Sequence, residues 1–204
     1  MSESISLRTV YDLLGLNFYI PSYQRGYRWT EQQVKDLLND ILDFTDKAKV
    51  DGEFYCLQPI VIKPCDEEMV NHHSLHSVLN DNKWYEVIDG QQRLTTIRII
   101  LSYLETCLGI EATIASEYGR EKFVIEYETR RKTRAFLDHI TEAYENVDCE
   151  NIYNAYATVE KWFSDKTQPK PVRDKILKAL LDQGNKNPVQ VIWYELPSHN
   201  SEGE

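Results

Sequence analysis

The sequence predicts an α+β fold, in which a small mixed sheet with helices is followed by a helical segment. Strand-type and helix-type patterns of apolar residues alternate up to about residue 127, and three consecutive helical patterns follow. We therefore predict an α+β domain over residues 1–127 and a helical extension over residues 128–204 that ends in a strand. A chain of 204 residues, 42% of them hydrophobic, is able to bury a core without disulfide or metal staples.

The elements of the first part follow from local patterns. Thr30 and Gln33 form a capping box in front of an apolar stripe of helical spacing, which predicts a helix over residues 30–44. A β-branched run predicts a buried strand over residues 54–62, which we expect to pair with a second strand at 84–88. The same reasoning predicts a short helix at 6–14, an extended piece at 17–20 and a polar loop at 64–83.

A central helix follows the predicted strand at 84–88. Apolar residues recur at helical spacing from Leu94 onward, and an apolar alternation then predicts a strand over residues 123–127. Three helical patterns and a last strand pattern follow, before a tail that carries no structural signal. The predicted ranges are helices over 134–144, 151–163 and 172–181, a strand over 188–196 and the tail at 198–204.

A sharp turn separates the predicted strand at 84–88 from the central helix. It falls at Asp89 and Gly90, and glycine tolerates backbone angles that other residues avoid. The helix that follows begins with unpaired N–H groups and the positive end of its dipole. This corner of the molecule is therefore predicted to attract anions.

The side chains on this turn are suited to holding a phosphate. They comprise one carboxylate, two amides, one guanidinium and two hydroxyls, from Asp89, Gln91, Gln92, Arg93, Thr95 and Thr96. Backbone N–H groups and a bidentate arginine can bind a phosphate, while the carboxylate holds a metal ion or orients a water. The same residues also fit an ordinary helix start, with Asp89 as the N-cap and solvated glutamines and arginine. The local sequence leaves both interpretations open.

The predicted loop over residues 20–29 is unusually rich in aromatic residues. It carries three of them around a glutamine and an arginine, in the order Tyr23, Gln24, Arg25, Tyr27 and Trp29. In one interpretation the aromatic rings pack the loop against the core. In the other, the rings and the arginine form a stacking and hydrogen-bonding surface for a base or a nucleotide. Both interpretations can hold for different residues of the loop.

Charge and composition argue against several classes of protein. A net charge of −10 argues against a general nucleic-acid coat protein, because non-specific affinity depends on neutralising phosphates. The densest basic cluster, at residues 130–134, has glutamates nearby and is predicted to be a solvated face. Four cysteines without a C-x-x-C pair indicate reduced thiols. With no signal-peptide pattern and no run apolar enough to cross a bilayer, we expect a cytoplasmic protein without a membrane partner.

Three histidines, His72, His73 and His76, lie in the predicted loop at 64–83. The spacing of the first and third brings two imidazoles together only on a helix, and no local pattern predicts a helix there. A metal site is therefore not the favoured interpretation of these histidines.

Two motifs stand in a fixed order, I-P-x-Y-Q-R-x-Y-x-W at residues 20–29 and I-D-G-Q-Q-R-L-T-T at residues 88–96. With an apolar helix after the first motif and a β-branched strand before the second, the pair resembles the N-terminal domain of GmrS and GmrSD-type modification-dependent (Type IV) restriction proteins. The resemblance covers residues 5–110 closely and the helical remainder loosely, and it implies a ParB/sulfiredoxin-like fold. In that family the D-G-Q-Q-R segment looks like the nucleotide site, and the domain hydrolyses NTP to control a nuclease domain that cuts foreign, modified DNA.

The resemblance implies specific roles for residues of both motifs. The catalytic phosphate and metal site would be lined by Asp89, Gln91, Gln92 and Arg93. Asp89 would be the ligand of a Mg²⁺ ion bound together with GTP or ATP. The other implied nucleotide contacts come from Gln24, Arg25, Gly90 and Thr95, with Arg93 shared between the two sets. The implied contacts to DNA or to a base come from Tyr23, Tyr27 and Trp29.

The resemblance also implies partners. These are the nucleotide, modified DNA and a nuclease domain or subunit in cis or in trans, and an oligomer is compatible with it. The family usually continues beyond a strand such as the one at 188–196 into a phenylalanine and asparagine motif and a nuclease module, which this sequence lacks. We therefore expect a fragment or a stand-alone domain. The alternative function is a DNA-binding or interaction module without NTP turnover.

Overall fold

A six-stranded mixed sheet forms the framework of the computed structural model, which describes residues 3–47, 50–144 and 146–198. Its strands are β1 (Ser4–Thr9), β2 (Asn17–Ile20), β3 (Tyr55–Pro64), β4 (Trp84–Asp89), β5 (Val124–Tyr127) and β6 (Val189–Glu195). The spatial order is β1-β6-β3-β4-β2-β5. Strands β1 and β6, and β3 and β4, pair antiparallel, whereas the other neighbours pair parallel. The α+β class and the predicted β3–β4 pairing are confirmed.

Eight helices surround this sheet within the part of the chain that the structure describes. They are α1 (Val10–Leu13), α2 (Glu31–Asp46), α3 (Glu67–His72), α4 (Gln91–Thr106), α5 (Ile114–Tyr118), α6 (Lys132–Asp138), α7 (Val147–Ser164) and α8 (Pro169–Leu181). A short 3₁₀ turn at Asn80–Asn82 precedes β4. Helix α7 packs against both α2 and α4, and α8 packs against α2. None of the described helices is both long and apolar enough to span a membrane.

The sheet has a large core on one face and a small one on the other. Phe18 and Ile20 of β2 lie in the large core, whereas Tyr19 between them packs with Leu75 and Trp84 in the small one. This division follows from the alternation of side chains along a strand. Helix α4 is buried along most of its length in the large core, so its N-terminal end is held rigidly against the sheet.

Several predicted elements are confirmed by the structure. The capping box of Thr30 and Gln33 is present at the start of α2, and β2, β5 and β6 lie where extended segments were predicted. Helices α7 and α8 begin a few residues before their predicted starts, α7 with Asn146 as its N-cap and α8 with Pro169 as its first residue. Of the predicted tail at 198–204, residues 199–204 lie outside the described residues.

Three predictions of secondary structure are wrong. The predicted helix at 6–14 is instead the strand β1 followed by the single turn of α1, because the first residues pair along their length with β6. The predicted loop at 64–83 contains α3, whose start is capped by the Asp66 carboxylate accepting from the Met69 N–H. Helix α6 ends at Asp138 and not at residue 144, and its end is tied to α4 by an Arg98–Asp138 ion pair of 2.6 Å.

The last strand crosses the boundary that we predicted between the two parts of the chain. Strand β6 lies between β1 and β3 and pairs with both. The sheet therefore draws strands from residues 1–127 and from residues 128–204, and the helices of the second part lie in the same core as the first.

Candidate functional site

The turn between β4 and α4 is built around Gly90. This residue is the N-cap of α4, with a φ of 92° in the left-handed region, and no side chain caps the helix. A Cβ at Gly90 would lie 3.0 Å from the carbonyl oxygen of Pro59 and 3.1 Å from the Cα of Ile60. Both the backbone angle and the close approach to β3 require glycine here. The helix therefore starts without the Asp89 side-chain cap that the alternative interpretation assumed.

Three glutamines attach the loop over residues 21–29 to this turn. Gln24 Nε2 donates to the carbonyl oxygens of Val87 (3.1 Å) and Ile88 (2.8 Å) at the end of β4. The side-chain amide of Gln91 donates to the Arg25 carbonyl oxygen. The loop is thus bonded through its backbone and through Gln24, and it lies across the N-terminal end of α4.

Gln92 completes this attachment from the first turn of the helix. Its Nε2 donates to the Gly26 carbonyl oxygen at 2.9 Å, and its Oε1 accepts from the Arg28 N–H at 2.7 Å. Both ends of the Gln92 amide are therefore committed to the loop. The Gln91 amide differs, because its Oε1 is buried and has no hydrogen-bond partner within the described residues.

The aromatic residues of the loop divide into buried and accessible ones. Tyr27 is fully buried, and its hydroxyl bonds to Thr96 Oγ1 at 2.8 Å. Burial raises the pKa of Tyr27, so its hydroxyl stays protonated. Trp29 is half-buried, and Tyr23 is 68% exposed with its hydroxyl donating to Glu86. Both interpretations of the loop therefore apply, each to different residues. Tyr27 packs the loop against the core, whereas Tyr23 and Trp29 leave part of their rings accessible.

Thr95 lies beneath the turn and away from solvent. It is fully buried, and its hydroxyl pairs with that of Tyr127 at 2.9 Å. Burial raises the pKa of Tyr127 to about 12. The placement of Thr95 and Tyr27 does not support the predicted direct contact of these two residues with a ligand. Instead, the hydroxyl pairs fasten the first turns of α4 to the loop and to β5.

The remaining predicted site residues surround one cleft, which we call the turn cleft. Its volume is about 260 Å³, and its walls are residues 89–93 from the turn together with Gln24, Arg25 and Trp29 from the loop. The structure thus brings the two sequence motifs to one place, although they are about sixty residues apart. Tyr23, Tyr27 and Thr95 are not part of these walls.

Arg93 is held in position by strand β3. Its guanidinium donates to the Pro59 carbonyl oxygen at 2.7 Å and to Gln58 Oε1 at 2.5 Å. Partial burial lowers the pKa of Arg93, and the nearby Asp89 carboxylate opposes this effect. An arginine remains charged under such a shift. The guanidinium has five N–H groups, so donors remain for a ligand after these two bonds.

Gln58 is a candidate site residue that the sequence did not reveal. It has a φ of 70°, in the left-handed region, and lies where the pairing register of β3 with β6 shifts between Cys56 and Pro59. Such irregularities often place a side chain beside a functional site. The available signal was Pro59 inside an otherwise strand-like run, because proline within a strand marks an edge or a bulge.

Two charged side chains of the turn cleft have no partner among the residues that the structure describes. Arg25 is exposed and makes no ion pair, and its backbone carbonyl accepts the Gln91 bond. Asp89 is exposed, with no side-chain hydrogen bond or ion pair in the described ranges. An uncapped helix start, two arginines and one free carboxylate therefore face a single polar cleft.

The loop is also tied to α7 by charge. Asp148 forms ion pairs with Arg130 at 2.5 Å and with Arg28 at 3.3 Å. Gly26 packs so closely on this carboxylate that a Cβ would lie 1.8 Å from Asp148 Oδ1. The sequence reasoning missed Asp148, because nothing in its local pattern distinguishes it from a solvated carboxylate.

One of the three histidines and two arginines of the basic cluster have structural partners. His73 Nδ1 bonds to the Tyr19 hydroxyl at 3.0 Å and lies 3.7 Å from Glu128. Arg134 pairs with Glu126 at 3.3 Å, and Arg130 pairs with Asp148. Across the residues described, no group of three or more metal-ligating side chains occurs.

Comparison with known proteins identifies the family. The model of the family described as GmrSD restriction endonuclease, N-terminal domain, matches residues 7–204. A search of curated proteins found no match. The family match spans nearly the whole chain and includes both motifs that form the turn cleft. The chain therefore belongs to the family of GmrSD restriction endonuclease N-terminal domains.

Proposed function

We propose that this domain binds a nucleoside triphosphate, GTP or ATP, in the turn cleft and hydrolyses it with Mg²⁺. Hydrolysis would control a nuclease domain or subunit that cuts modified foreign DNA. Family membership gives the coarser statement, a role in DNA restriction and phage defence. The nucleotide step is the part that we propose here.

The observation that carries the proposal is the grouping of anion-binding elements around one cleft. The uncapped start of a 16-residue helix supplies N–H donors and the positive end of a dipole. Arg25 and Arg93 add two positive charges to the same walls. A chain with a net charge of −10 has no general affinity for anions, so this local grouping points to a specific anionic ligand.

The residues of the turn cleft also fit a Mg²⁺ ion. Mg²⁺ is commonly held by one or two carboxylates together with substrate phosphates and waters. Asp89 supplies one exposed, unpaired carboxylate beside the proposed phosphate position. When bound there, the ion would neutralise phosphate charge.

The chemistry required of the protein is modest. Phosphoryl transfer depends on positioning and on charge stabilisation more than on covalent catalysis. Arg93, fixed by Gln58 and Pro59, would stabilise charge that develops on the transferred phosphoryl group. Gln24 and Gln92 act as positioning residues, because their amides hold the loop that carries Arg25.

The alternative, a DNA-binding module without turnover, is less well supported by the contacts. Arg130 and Arg134 of the basic cluster are neutralised by Asp148 and Glu126. Tyr23 alone among the loop aromatics is largely exposed.

The first prediction is nucleotide-dependent stabilisation of the isolated chain. A ligand that binds only the native state at one hundred times its dissociation constant adds about 2.7 kcal/mol. For a chain of this size we expect Tm to rise by roughly 5–10 °C with GTP or ATP and Mg²⁺. Asp89→Asn should retain most of the rise seen without Mg²⁺ and lose the additional rise that Mg²⁺ produces.

Differential scanning fluorimetry with and without EDTA measures both effects. Asp43→Asn, which removes one exposed charge elsewhere, is the control and should behave as the wild type. A wild-type Tm that no triphosphate changes, combined with binding of duplex DNA, would favour the alternative function.

The second prediction concerns Gln58→Gly. Glycine adopts the φ of 70° without strain, which offsets its entropic cost, so stability should change by less than about 1 kcal/mol. Turnover should fall by about tenfold or more, because Arg93 loses the bond that orients it. NTPase rates and Tm measured together check this. A fall in Tm large enough to account for the loss of turnover would indicate that Gln58 serves only the fold.

A further inference from the structure

A second cleft adjoins the turn cleft. It has a volume of about 210 Å³ and lies between helix α2 and strand β3, and we call it the α2–β3 cleft. Trp29 and Arg93 line both clefts, so the two clefts lie side by side at these two residues. Small-molecule sites usually measure roughly 300–1,000 Å³. Neither cleft reaches this size alone, but the two together do.

The two clefts differ in chemistry. The turn cleft offers N–H donors and arginines, which suit phosphates. The α2–β3 cleft presents the carboxylates of Asp36 and Asp40, four residues apart on one face of α2. An ionised carboxylate only accepts hydrogen bonds, so it repels phosphate and binds hydroxyl or N–H donors.

The walls of the α2–β3 cleft are fixed by contacts within the protein. The Tyr55 hydroxyl donates to Asp40 Oδ2 at 2.9 Å, which orients that carboxylate. Burial, followed by the hydrogen bond to Asp40 and then the Asp40 charge, raises the pKa of Tyr55 to about 12, so the phenol remains a donor. Trp29 packs partly against the large core and still lines both clefts, so part of its indole remains available to a planar group.

We propose that the α2–β3 cleft binds the nucleoside half of the triphosphate. Ribose hydroxyls or base N–H groups would donate to Asp36 and Asp40, and the ring system would contact Trp29. The inference rests on the proposed function, because it takes the triphosphate to lie in the turn cleft. It assigns recognition of the nucleoside to residues that neither sequence motif contains, apart from Trp29.

The test compares two probes, GTP and inorganic tripolyphosphate, by isothermal titration calorimetry on the whole chain. In the double variant Asp36→Asn/Asp40→Asn, the Kd for GTP should rise about tenfold to a hundredfold, because charged hydrogen bonds are lost. The Kd for tripolyphosphate should stay the same or fall, because two repelling charges are removed. If the Kd for GTP rises while the Kd for tripolyphosphate does not, the effect is due to lost hydrogen bonds and not to long-range electrostatics.

Two further variants complete the design. Asp43→Asn changes the charge of the same helix outside either cleft and should leave both Kd values within about twofold. Trp29→Leu should weaken GTP more than tripolyphosphate. Asp36 and Asp40 are exposed helix positions, so their variants should fold normally. A 2′-deoxy-GTP arm identifies the donor: if a ribose hydroxyl donates, the double variant should affect this analogue less than GTP.

The outcomes distinguish this inference from the proposed function. Tripolyphosphate that binds as tightly as GTP, or a double variant that binds GTP like the wild type, would overturn the nucleoside site alone. A wild-type chain that binds neither probe would overturn the proposed function and this inference together.

Discussion

Arg93→Ala should reduce divalent-metal-dependent NTP hydrolysis by about a thousandfold or more while the protein remains folded. The substitution removes a guanidinium that is fixed against β3 and faces the turn cleft. Loss of a charged contact should weaken nucleotide binding by about tenfold to a hundredfold. The larger effect on turnover is expected because charge on the phosphoryl group changes in the transition state.

Steady-state NTP turnover and Tm should be measured on the same preparations of the wild type and of each variant. Arg93→Lys keeps the charge but loses the planar fork, so it should recover part of the binding and little of the turnover. Arg120→Ala is a suitable control, because Arg120 is exposed, lies against Tyr11 and lines neither cleft. Near-normal turnover in Arg93→Ala, accompanied by a lower Tm, would assign Arg93 a purely structural role.

Gly90→Ala should cause a large loss of stability, although it adds only one methyl group to the turn. The left-handed φ of 92° costs about 1–2 kcal/mol for a residue with a Cβ. The methyl group would also press on the Pro59 carbonyl oxygen at 3.0 Å, and overpacking of this kind costs about 1–3 kcal/mol. That oxygen is held by Arg93 and cannot move freely. We expect Tm to fall by roughly 5–15 °C.

Gly119→Ala is a matched control for this prediction. Gly119 also has a positive φ, 74°, but a Cβ there would meet no atom within 4 Å. Its substitution should therefore show the cost of the backbone angle alone, with a fall in Tm of roughly 2–8 °C. Equal Tm losses for Gly90→Ala and Gly119→Ala would show that the contact with β3 contributes nothing.

The sequence by itself determined the parts of the fold whose signals are local. The capping box at Thr30 and Gln33 and the apolar stripe behind it were sufficient for α2. The aromatic and β-branched run, the glycine and the helical spacing from Leu94 were sufficient for the β4–α4 turn. These signals act between residues a few positions apart, where hydrogen bonds and side-chain spacing depend little on the rest of the chain.

The tertiary structure decided which side chains of the two motifs face the cleft. Thr95 and Tyr27 carry hydroxyl groups of a kind that can contact a ligand. These hydroxyls instead bond to Tyr127 and Thr96, respectively, beneath the turn. Whether a helix residue is buried depends on what packs against it, and here that is β5 and the loop over residues 21–29. No local pattern contains this information.

Long-range pairing decided the remainder. The strand β1 resembles a helix start in sequence and becomes a strand only because β6, nearly two hundred residues later, pairs with it. Gln58 lies at the register shift of β3 against β6, and its side chain accepts a hydrogen bond from Arg93. Both effects require backbone hydrogen bonds between distant segments, and the free energy of such pairing depends on the whole sheet and not on the residues of either segment alone.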